Sequence, residues 1–202
     1  MAGSVKPDKN LIRKRLRDFL LSFSCFRKLQ FWRVYRRGVP CWVIDDLSFP
    51  RGLSDLAKNR YQRILDVGCA TGYHSAVLAS TIGNEVIGID INKSAIETAC
   101  QKYGHLAEFR VLDIGKELPE GKFDLIVCSE ILLYIPAQAL KNRVLPGIVS
   151  LLNKGGHLAI HELITSEWSQ DHFEYLKNHL TVIVDKVIQY SRTQHRLVIY
   201  EK

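Results

Sequence analysis

The sequence has no long apolar run and no paired cysteines of the kind that bind metals or cross-link small domains. No apolar segment approaches the roughly 20 residues of a membrane-spanning helix, and residues 1–10 lack the layout of a signal peptide. The five cysteines are odd in number and include no C-x-x-C pair, which indicates reduced core thiols in a cytoplasmic protein. The seven histidines form no metal-spaced cluster, so we expect no metal site.

The length and composition of the chain fit one globular domain that carries a basic extension. With 202 residues, of which 47% are apolar, the sequence can bury an ordinary core. The net charge of +7 is uneven, because residues 1–63 carry +10 and residues 64–202 carry −3. We therefore expect a basic helical extension over residues 1–60 and a separate domain over residues 61–202.

The extension combines an amphipathic helix with a segment of alternating cations and aromatic residues. Apolar residues recur at three-to-four spacing between Leu11 and Phe31, which predicts a helix. The segment that follows contains Trp32, Tyr35, Arg36, Arg37 and Trp42. This mixture suits an anionic or sugar substrate, an acidic membrane surface or RNA. It equally suits a basic helix that packs over a cleft with its charges in solvent.

Residues 64–72 join an apolar strand to a turn bracketed by Gly68 and Gly72. A strand, a tight turn and a helix in this order present backbone N–H groups to a ligand at the strand's carboxyl end. Two more apolar strands follow, and each ends in an acid, Asp90 or Asp113. The distance from the turn to Asp90 suits a carboxylate that binds the vicinal hydroxyls of a ribose.

The glycine spacing separates this turn from a dinucleotide-binding loop. It reads G-x-x-x-G rather than G-x-G-x-x-G, and Asp66 would repel a pyrophosphate but suit a cationic ligand. The segment resembles motif I of class I S-adenosylmethionine-dependent methyltransferases, D/E-x-G-x-G-x-G, with Ala70 in place of the middle glycine. The resemblance covers residues 64–202.

The order of elements agrees with this resemblance. Strands and helices alternate from residue 62 onward. We expect a first helix over residues 73–81, a second over 93–103 with Asn92 as its N-cap, and a third over 137–152 ended by residues 154–156. Residues 181–190 and 196–200 are β-rich and joined by a link too short for a parallel crossover. The resemblance implies an α/β, Rossmann-like domain with a seven-stranded, mostly parallel sheet of order 3-2-1-4-5-7-6, in which strand 7 is antiparallel.

The resemblance also assigns the cofactor contacts to the ends of the first three strands. The turn should run beneath the methionine part of S-adenosylmethionine, and the acid before it should orient the amino end. The acid of the second strand should take the ribose hydroxyls, and that of the third should meet the adenine amino group, each with an isoleucine beside the adenine. These residues are Asp66, Gly68, Ala70, Gly72, Asp90, Ile91, Asp113 and Ile114.

The exit of the fourth strand, residues 129–134, should face the methyl group. It resembles the S/A-E-x-L-Y-Y segment of nodulation protein S-type N-methyltransferases, with Leu133 in place of the first tyrosine. Within this resemblance Ser129 lines the cofactor. Glu130 holds an amine or hydroxyl nucleophile, or contacts the methionine end. Tyr134 supplies an aromatic wall or a hydroxyl donor.

His161 stands at the end of the fifth strand, close to the same cleft. Methyl transfer needs an unprotonated amine or a base for a hydroxyl, and histidine is the commonest side chain in that role. His161 is therefore a candidate base, and the alternative is a hydrogen-bonding histidine at a strand end.

Three functions remain open at this point. The first is a monomeric or homodimeric methyltransferase that uses S-adenosylmethionine to methylate nitrogen or oxygen of a small molecule. The second is an RNA methyltransferase that grips nucleic acid with the basic extension. The third is a catalytically silent protein of the same fold that binds the cofactor or a partner.

Overall fold

The computed structural model describes residues 56, 61–164, 171–189 and 194–202. The predicted extension over residues 1–60 therefore lies outside the described residues, apart from Leu56, whose side chain is buried. The predicted helix from Leu11 to Phe31 and the aromatic, basic segment after it also lie outside. Within the described residues, no helix is both long and apolar enough to cross a membrane.

The described part of the chain folds into strands that alternate with short helices. The strands are β1 (Tyr61–Val67), β2 (Gly83–Asp90), β3 (Glu108–Val111), β4 (Phe123–Ser129), β5 (Leu152–Leu163), β6 (Thr181–Gln189) and β7 (Gln194–Glu201). The helices are α1 (Tyr73–Thr81), α2 (Lys93–Tyr103), α3 (Ala137–Ala139), α4 (Leu145–Leu151) and α5 (Asp171–Lys177). A 3₁₀ turn spans Leu132–Tyr134, and a π-helical turn over Leu140–Val144 joins α3 to α4.

The strands form one sheet in the order β3-β2-β1-β4-β5-β7-β6. Strands β1 to β5 pair in parallel, whereas β7 is antiparallel to both β5 and β6. This topology confirms the predicted α/β, Rossmann-like fold. Because β7 runs against its neighbours, it begins at the edge of the sheet where the parallel strands end.

The core fills both faces of this sheet. On one face, strand residues pack with α4 and α5, through Ile148 and Leu176. On the other face, they pack with α1 and α2, through Leu78 and Ile96. Strand β4 contributes buried residues to both sides, which is why its sequence is a continuous apolar run rather than an alternating one.

Local signals placed two helices correctly. Helix α1 spans the predicted residues 73–81, and α2 spans the predicted residues 93–103. Asn92 is the N-cap of α2, because its Oδ1 accepts hydrogen bonds from the N–H groups of Ser94 and Ala95 at 3.0 and 3.3 Å. These side-chain bonds satisfy N–H groups that have no partner inside the helix.

The predicted helix end at residues 154–156 is wrong. Helix α4 ends at Leu151, and Leu152 already has extended backbone angles and begins β5. Gly155 has a left-handed φ of 73°, and its N–H donates to the carbonyl of Lys202 at 2.8 Å. A Lys-Gly-Gly sequence suits a helix cap and an irregular strand equally well, so the local sequence could not decide between them.

The predicted hairpin is present, but its second strand begins two residues earlier than expected. Strand β7 starts at Gln194, so His195 belongs to the strand rather than to the link. His195 pairs with Leu163 of β5 and Ile188 of β6.

Candidate active site

The carboxyl ends of β1, β2, β4 and β5 lie side by side and form the carboxyl-terminal edge of the sheet, which we call the edge. The strand order reverses between β1 and β4, and in open α/β sheets ligands bind in the crevice at such a reversal. All predicted site residues lie at this edge or directly beyond it.

The turn after β1 contains three residues with left-handed backbone angles. Gly68, Ala70 and Gly72 have φ values of 78°, 50° and 85°. The N–H of Gly68 donates to the carbonyl of Ile89 at 2.8 Å, which ties the turn to β2. The left-handed conformation costs an alanine about 1–2 kcal/mol. Ala70 is held there by its own N–H, which donates to Asp90 Oδ2 at 3.0 Å.

Packing as well as backbone conformation requires the two glycines of this turn. A Cβ on Gly72 would lie 2.8 Å from the ring of Phe109, and a Cβ on Gly68 would lie 2.8 Å from Cγ1 of Ile131. Ile131 follows β4, so this contact places the exit of β4 directly against the turn. The segments predicted to line the cofactor and to face the methyl group are therefore adjacent.

Asp90 anchors the loop that surrounds it. Its Oδ2 accepts the Ala70 N–H, and its Oδ1 accepts the N–H of Asn92 at 2.8 Å. Burial raises the pKa of Asp90 to about 6, although these N–H groups act in the opposite direction. Each carboxylate oxygen keeps a second lone pair, so Asp90 can still accept hydrogen bonds from two hydroxyl groups. Ile91, predicted to pack on the adenine, follows it and is half-buried.

Asp66 lies behind the turn. It is 2% exposed and accepts a hydrogen bond from Ser75 Oγ at 2.6 Å. Burial raises the pKa of Asp66, while the nearby His74 and the Ser75 hydroxyl lower it in part. The hydrogen bond from Ser75 links the Asp66 carboxylate to α1. The contact of Asp66 with the amino end of the cofactor stays a prediction.

The residues after β3 form a tight turn. Asp113 is half-buried, and its Oδ1 accepts a hydrogen bond from the N–H of Gly115 at 3.1 Å. Ile114 is buried and packs in the core. The turn fixes Asp113 at the edge of the sheet, and the contacts of both residues with an adenine stay predictions.

Glu130 occupies a strained turn directly after β4. Its φ of 54° is left-handed, which is uncommon for a residue other than glycine. Its N–H donates to the carbonyl of His161 at 2.9 Å, so the ends of β4 and β5 are joined. Burial, and then the charge of Glu130, raise the pKa of Tyr134 in the following 3₁₀ turn, so this phenol stays protonated at neutral pH. The left-handed backbone of Glu130 is strained, and strain of this kind is concentrated at functional sites.

The structure brings Glu130 together with His161 and His195. His195 Nδ1 lies 2.8 Å from Glu130 Oε1, within hydrogen-bond distance. His161 Nδ1 lies 3.9 Å from the same oxygen and 3.3 Å from Ser129 Oγ. The two imidazole rings are stacked, with centroids 4.8 Å apart and planes inclined by 13°. We call Glu130, His161 and His195 the edge cluster.

The environment of His161 favours an uncharged ring. The side chain is fully buried, and burial lowers its pKa to about 3, with His195 and His74 acting in the same direction. A base has to become charged when it takes a proton, and burial disfavours that charge. Of the two interpretations made from the sequence, this environment favours the hydrogen-bonding histidine.

Sequence reasoning missed His195 because it placed this residue in a link. The available signal was the alternation of His195, Leu197 and Ile199, which lie on one face of β7. Extending the strand by two residues would have carried His195 to the edge where the parallel strands end.

The edge cluster also resembles a metal-binding set in composition, although the sequence spacing predicted no metal site. Its three ligand atoms lie within 4.8 Å of one another. An imidazole nitrogen binds a metal ion in the plane of its ring, and two stacked, nearly parallel rings cannot both point at one ion unless one of them turns. This arrangement therefore fits a hydrogen-bonded group that carries a proton better than a metal centre.

Comparisons with known proteins agree with the fold. Residues 58–198 match a family model described as a methyltransferase domain. The chain is 30% identical over 124 residues to the chloroplastic tocopherol O-methyltransferase of Arabidopsis thaliana, covering 58% of this chain and 35% of that protein. It is 32% identical over 155 residues to the ribosomal protein L11 methyltransferase of Thermosipho melanesiensis, covering 70% of this chain and 55% of that protein.

The fold is also similar to a solved structure. The N-methyltransferase NodS of Bradyrhizobium japonicum, in complex with S-adenosyl-L-homocysteine, superposes with a TM-score of 0.74 at 22% identity. The match covers 87% of this chain and 98% of that one. The chain spans about a third to a half of the length of the first curated relatives that it matches.

Proposed function

Because the chain belongs to the methyltransferase-domain family, we propose that it transfers the methyl group of S-adenosylmethionine to nitrogen or oxygen of a small molecule. One observation carries this proposal. The Ala70 N–H donates a hydrogen bond to the Asp90 carboxylate at 3.0 Å. The turn and the acid expected to bind the ribose therefore form one preorganised unit.

The residues of this unit fit the proposed cofactor. Gly68 and Gly72 add no side chains of their own to the turn, Asp90 has lone pairs for ribose hydroxyls, and Asp66 would supply a buried carboxyl for a cationic ligand. Asp113 would meet the adenine amino group, and Ser129 would line the cleft beside the turn.

The chemistry asks the chain mainly to align two reactants. S-adenosylmethionine supplies a methyl group already activated by a cationic sulfur. The chain has to bind the acceptor in line with that methyl group and to exclude water, which can contribute a large part of the rate enhancement. Glu130 and Tyr134 lie after β4, next to the turn, and they are the groups that we propose to hold the acceptor.

The half-buried position of these groups supports a small acceptor. Glu130, Tyr134 and His195 are each partly covered at the sheet edge, so a small molecule can reach them more easily than a bulky one. The names of the relatives include a tocopherol and a ribosomal protein as acceptors, so the acceptor must be tested directly.

A transfer assay with S-adenosylmethionine labelled in its methyl group tests the proposal. The full chain is incubated with a metabolite extract, with purified RNA and with a ribosomal protein mixture in separate reactions. We expect label in a small molecule. Label confined to RNA or protein would overturn the small-molecule acceptor, and cofactor binding without any transfer would favour the catalytically silent alternative.

A further inference from the structure

We propose that His195, oriented by Glu130, is the base that takes a proton from an acceptor amine entering the site as an ammonium ion. This inference rests on the proposed methyl transfer. It assigns the proton-accepting role to a residue of β7 and narrows the acceptor to an amine.

The topology places His195 at the reacting edge. Strand β7 is antiparallel to β5, so its first residues lie beside the last residues of β5. Glu130, the partner of His195, is followed by Ile131, which packs against Gly68 of the turn. His195 is therefore linked to the turn through two consecutive residues: Glu130, which it contacts, and Ile131, which packs against the turn.

The hydrogen bond to Glu130 determines which nitrogen of His195 can accept a proton. An ionised carboxylate only accepts hydrogen bonds, so Nδ1, at 2.8 Å from Glu130 Oε1, must carry the hydrogen. The lone pair of the neutral ring then lies on Nε2. When Nε2 takes a proton, the adjacent carboxylate stabilises the imidazolium, as in other histidine–carboxylate pairs.

His161 supports this pair as a positioning residue. Its ring is fully buried and stacks under His195 at 4.8 Å, and its Nδ1 faces Ser129 Oγ. Because the His161 ring is neutral, it fixes the plane of the His195 ring by stacking and adds no positive charge beside it. The stack therefore fixes the direction of Nε2 while leaving His195 able to become charged.

The charges around His195 favour a cationic acceptor. Glu130 contacts His195 directly and is 24% exposed at its side chain. Among the residues that the structure describes, neutral His161 from β5 and Lys186 of β6 also face His195; Lys186 lies opposite Leu197, farther from the edge. His74 at the start of α1 acts on His161. The charge nearest the cleft is thus negative, which attracts an ammonium ion and repels a carboxylate or phosphate.

The reaction balances in two steps. An N–H bond of the ammonium ion breaks and its proton moves to His195 Nε2, leaving a neutral amine with a lone pair. That lone pair forms the new N–C bond as the S–C bond breaks, and the electron pair of the broken bond stays on sulfur. The products are a methylated ammonium ion, a neutral thioether and a protonated His195, which then returns its proton to solvent.

The tautomer of His195 tests the arrangement without any acceptor. Long-range ¹H–¹⁵N spectra of the full chain at about pH 8, above the pKa of about 6.5 of a free imidazole, distinguish hydrogen on Nδ1 from hydrogen on Nε2. Substitution of each histidine assigns the signals. We expect His195 to carry its hydrogen on Nδ1, and to lose that preference in Glu130→Gln. A wild-type ring with hydrogen on Nε2 would overturn the proposal.

Methyl transfer to benzylamine, with benzyl alcohol as the matched neutral probe, tests the role in catalysis. His195→Gln should lower kcat for benzylamine at neutral pH by at least about 100-fold, the lower range for a general base. The loss should shrink as the pH rises and the amine arrives unprotonated. Glu130→Gln should raise KM for the amine more than for the alcohol. A His195→Gln enzyme with wild-type kcat at neutral pH would refute the assignment.

His179→Gln is the matched control. This exposed histidine precedes β6 at the opposite edge of the sheet and stacks on Tyr175, so its loss should leave transfer unchanged. Calorimetry with S-adenosylhomocysteine separates two failures. If His195→Gln binds it as the wild type does and keeps full activity, only the base assignment fails. If the wild-type chain does not bind it, the proposed function fails.

Discussion

At the scale of single residues, the raised pKa of Asp90 predicts that cofactor binding depends on pH. Burial raises the pKa of this carboxyl to about 6, above its usual value of 3.8. The carboxylate is therefore ionised above about pH 7 and becomes protonated as the pH falls towards 5. A protonated carboxyl is a poorer acceptor for two hydroxyl groups.

We expect the affinity for S-adenosylhomocysteine to fall by up to about tenfold between pH 7.5 and pH 5, as linkage to one group requires. Calorimetry at the two pH values measures this change, with circular dichroism to verify folding. In Asp90→Asn, the side chain cannot titrate, so affinity should be weaker and nearly independent of pH. An equal pH dependence in this variant would assign the effect to another group.

Two glycines separate the cost of packing from the cost of backbone strain. Both Gly72 and Gly155 have positive φ, but a Cβ on Gly72 would meet Phe109 at 2.8 Å, whereas a Cβ on Gly155 would have no neighbour within 4 Å. Gly155→Ala should therefore lower the free energy of unfolding by about 1–2 kcal/mol. Gly72→Ala should add about 1–3 kcal/mol of overpacking to that cost.

Thermal unfolding measures the difference between these two variants. Each kcal/mol corresponds to about 2–4 °C in Tm for a domain of this size, so Gly72→Ala should melt several degrees below Gly155→Ala. Equal melting temperatures would show that Phe109 moves aside and that the turn is less tightly packed than the structure indicates.

The sequence placed single residues correctly in the fold where the signal is local to a motif. Asp90 and Asn92 act at a strand end and at a helix cap, and both positions can be read from a few neighbouring letters. His195 could not be found in this way. The role proposed for it depends on Glu130, which is 65 positions away in the chain, and on the direction of an antiparallel strand.

At the scale of elements, β4 is a largely buried strand in the centre of the sheet. It pairs on both sides and carries Cys128, which is fully buried, while Cys69 is buried in the turn and Cys100 is exposed on α2. Burial raises the pKa of the Cys69 and Cys128 thiols well above their usual value. Alkylating agents react with the thiolate form of cysteine, and the raised pKa values of Cys69 and Cys128 lower the fraction of that form.

We expect iodoacetamide to label Cys100 of the native protein far faster than Cys69 or Cys128. Peptide mapping by mass spectrometry over a time course gives the three rates, and the denatured protein provides the control in which all three react. Native labelling of Cys128 at the rate of Cys100 would mean that β4 opens readily, which contradicts its place in the centre of the sheet.

The π-helical turn and the early start of β5 show where element boundaries escape sequence analysis. Residues 137–152 satisfy a helical pattern throughout, and nothing in that pattern distinguishes the wider turn over Leu140–Val144 from an α-helical one. The boundary at Leu152 is set by pairing with Phe123 of β4, which is a tertiary contact.

At the scale of the whole molecule, the sheet order followed from the alternation of strands and helices together with the family resemblance. The hairpin length required one antiparallel strand, and the structure contains it as β7. The basic extension remained a prediction, because residues 1–55 and 57–60 lie outside the described part of the chain.

The uneven charge of the molecule predicts weak and unspecific binding to RNA. Contacts with phosphates release counterions, so affinity for poly(U) should fall at least about 100-fold between 50 and 200 mM salt. Filter binding or fluorescence anisotropy across this range measures the slope. Tight binding that persists at the higher salt, together with methylation of the RNA, would favour the RNA-directed alternative.

The binding of S-adenosylhomocysteine to the full chain at about pH 7.5 tests the central claim most directly, because Asp90 is then ionised. We predict one binding site per chain, with a dissociation constant of about 1–100 µM, as is common for enzyme ligands. Asp90→Ala should weaken binding at least about tenfold, and Glu85→Ala, at the exposed start of the same strand, should not. A wild-type chain that gives no binding signal would contradict the account.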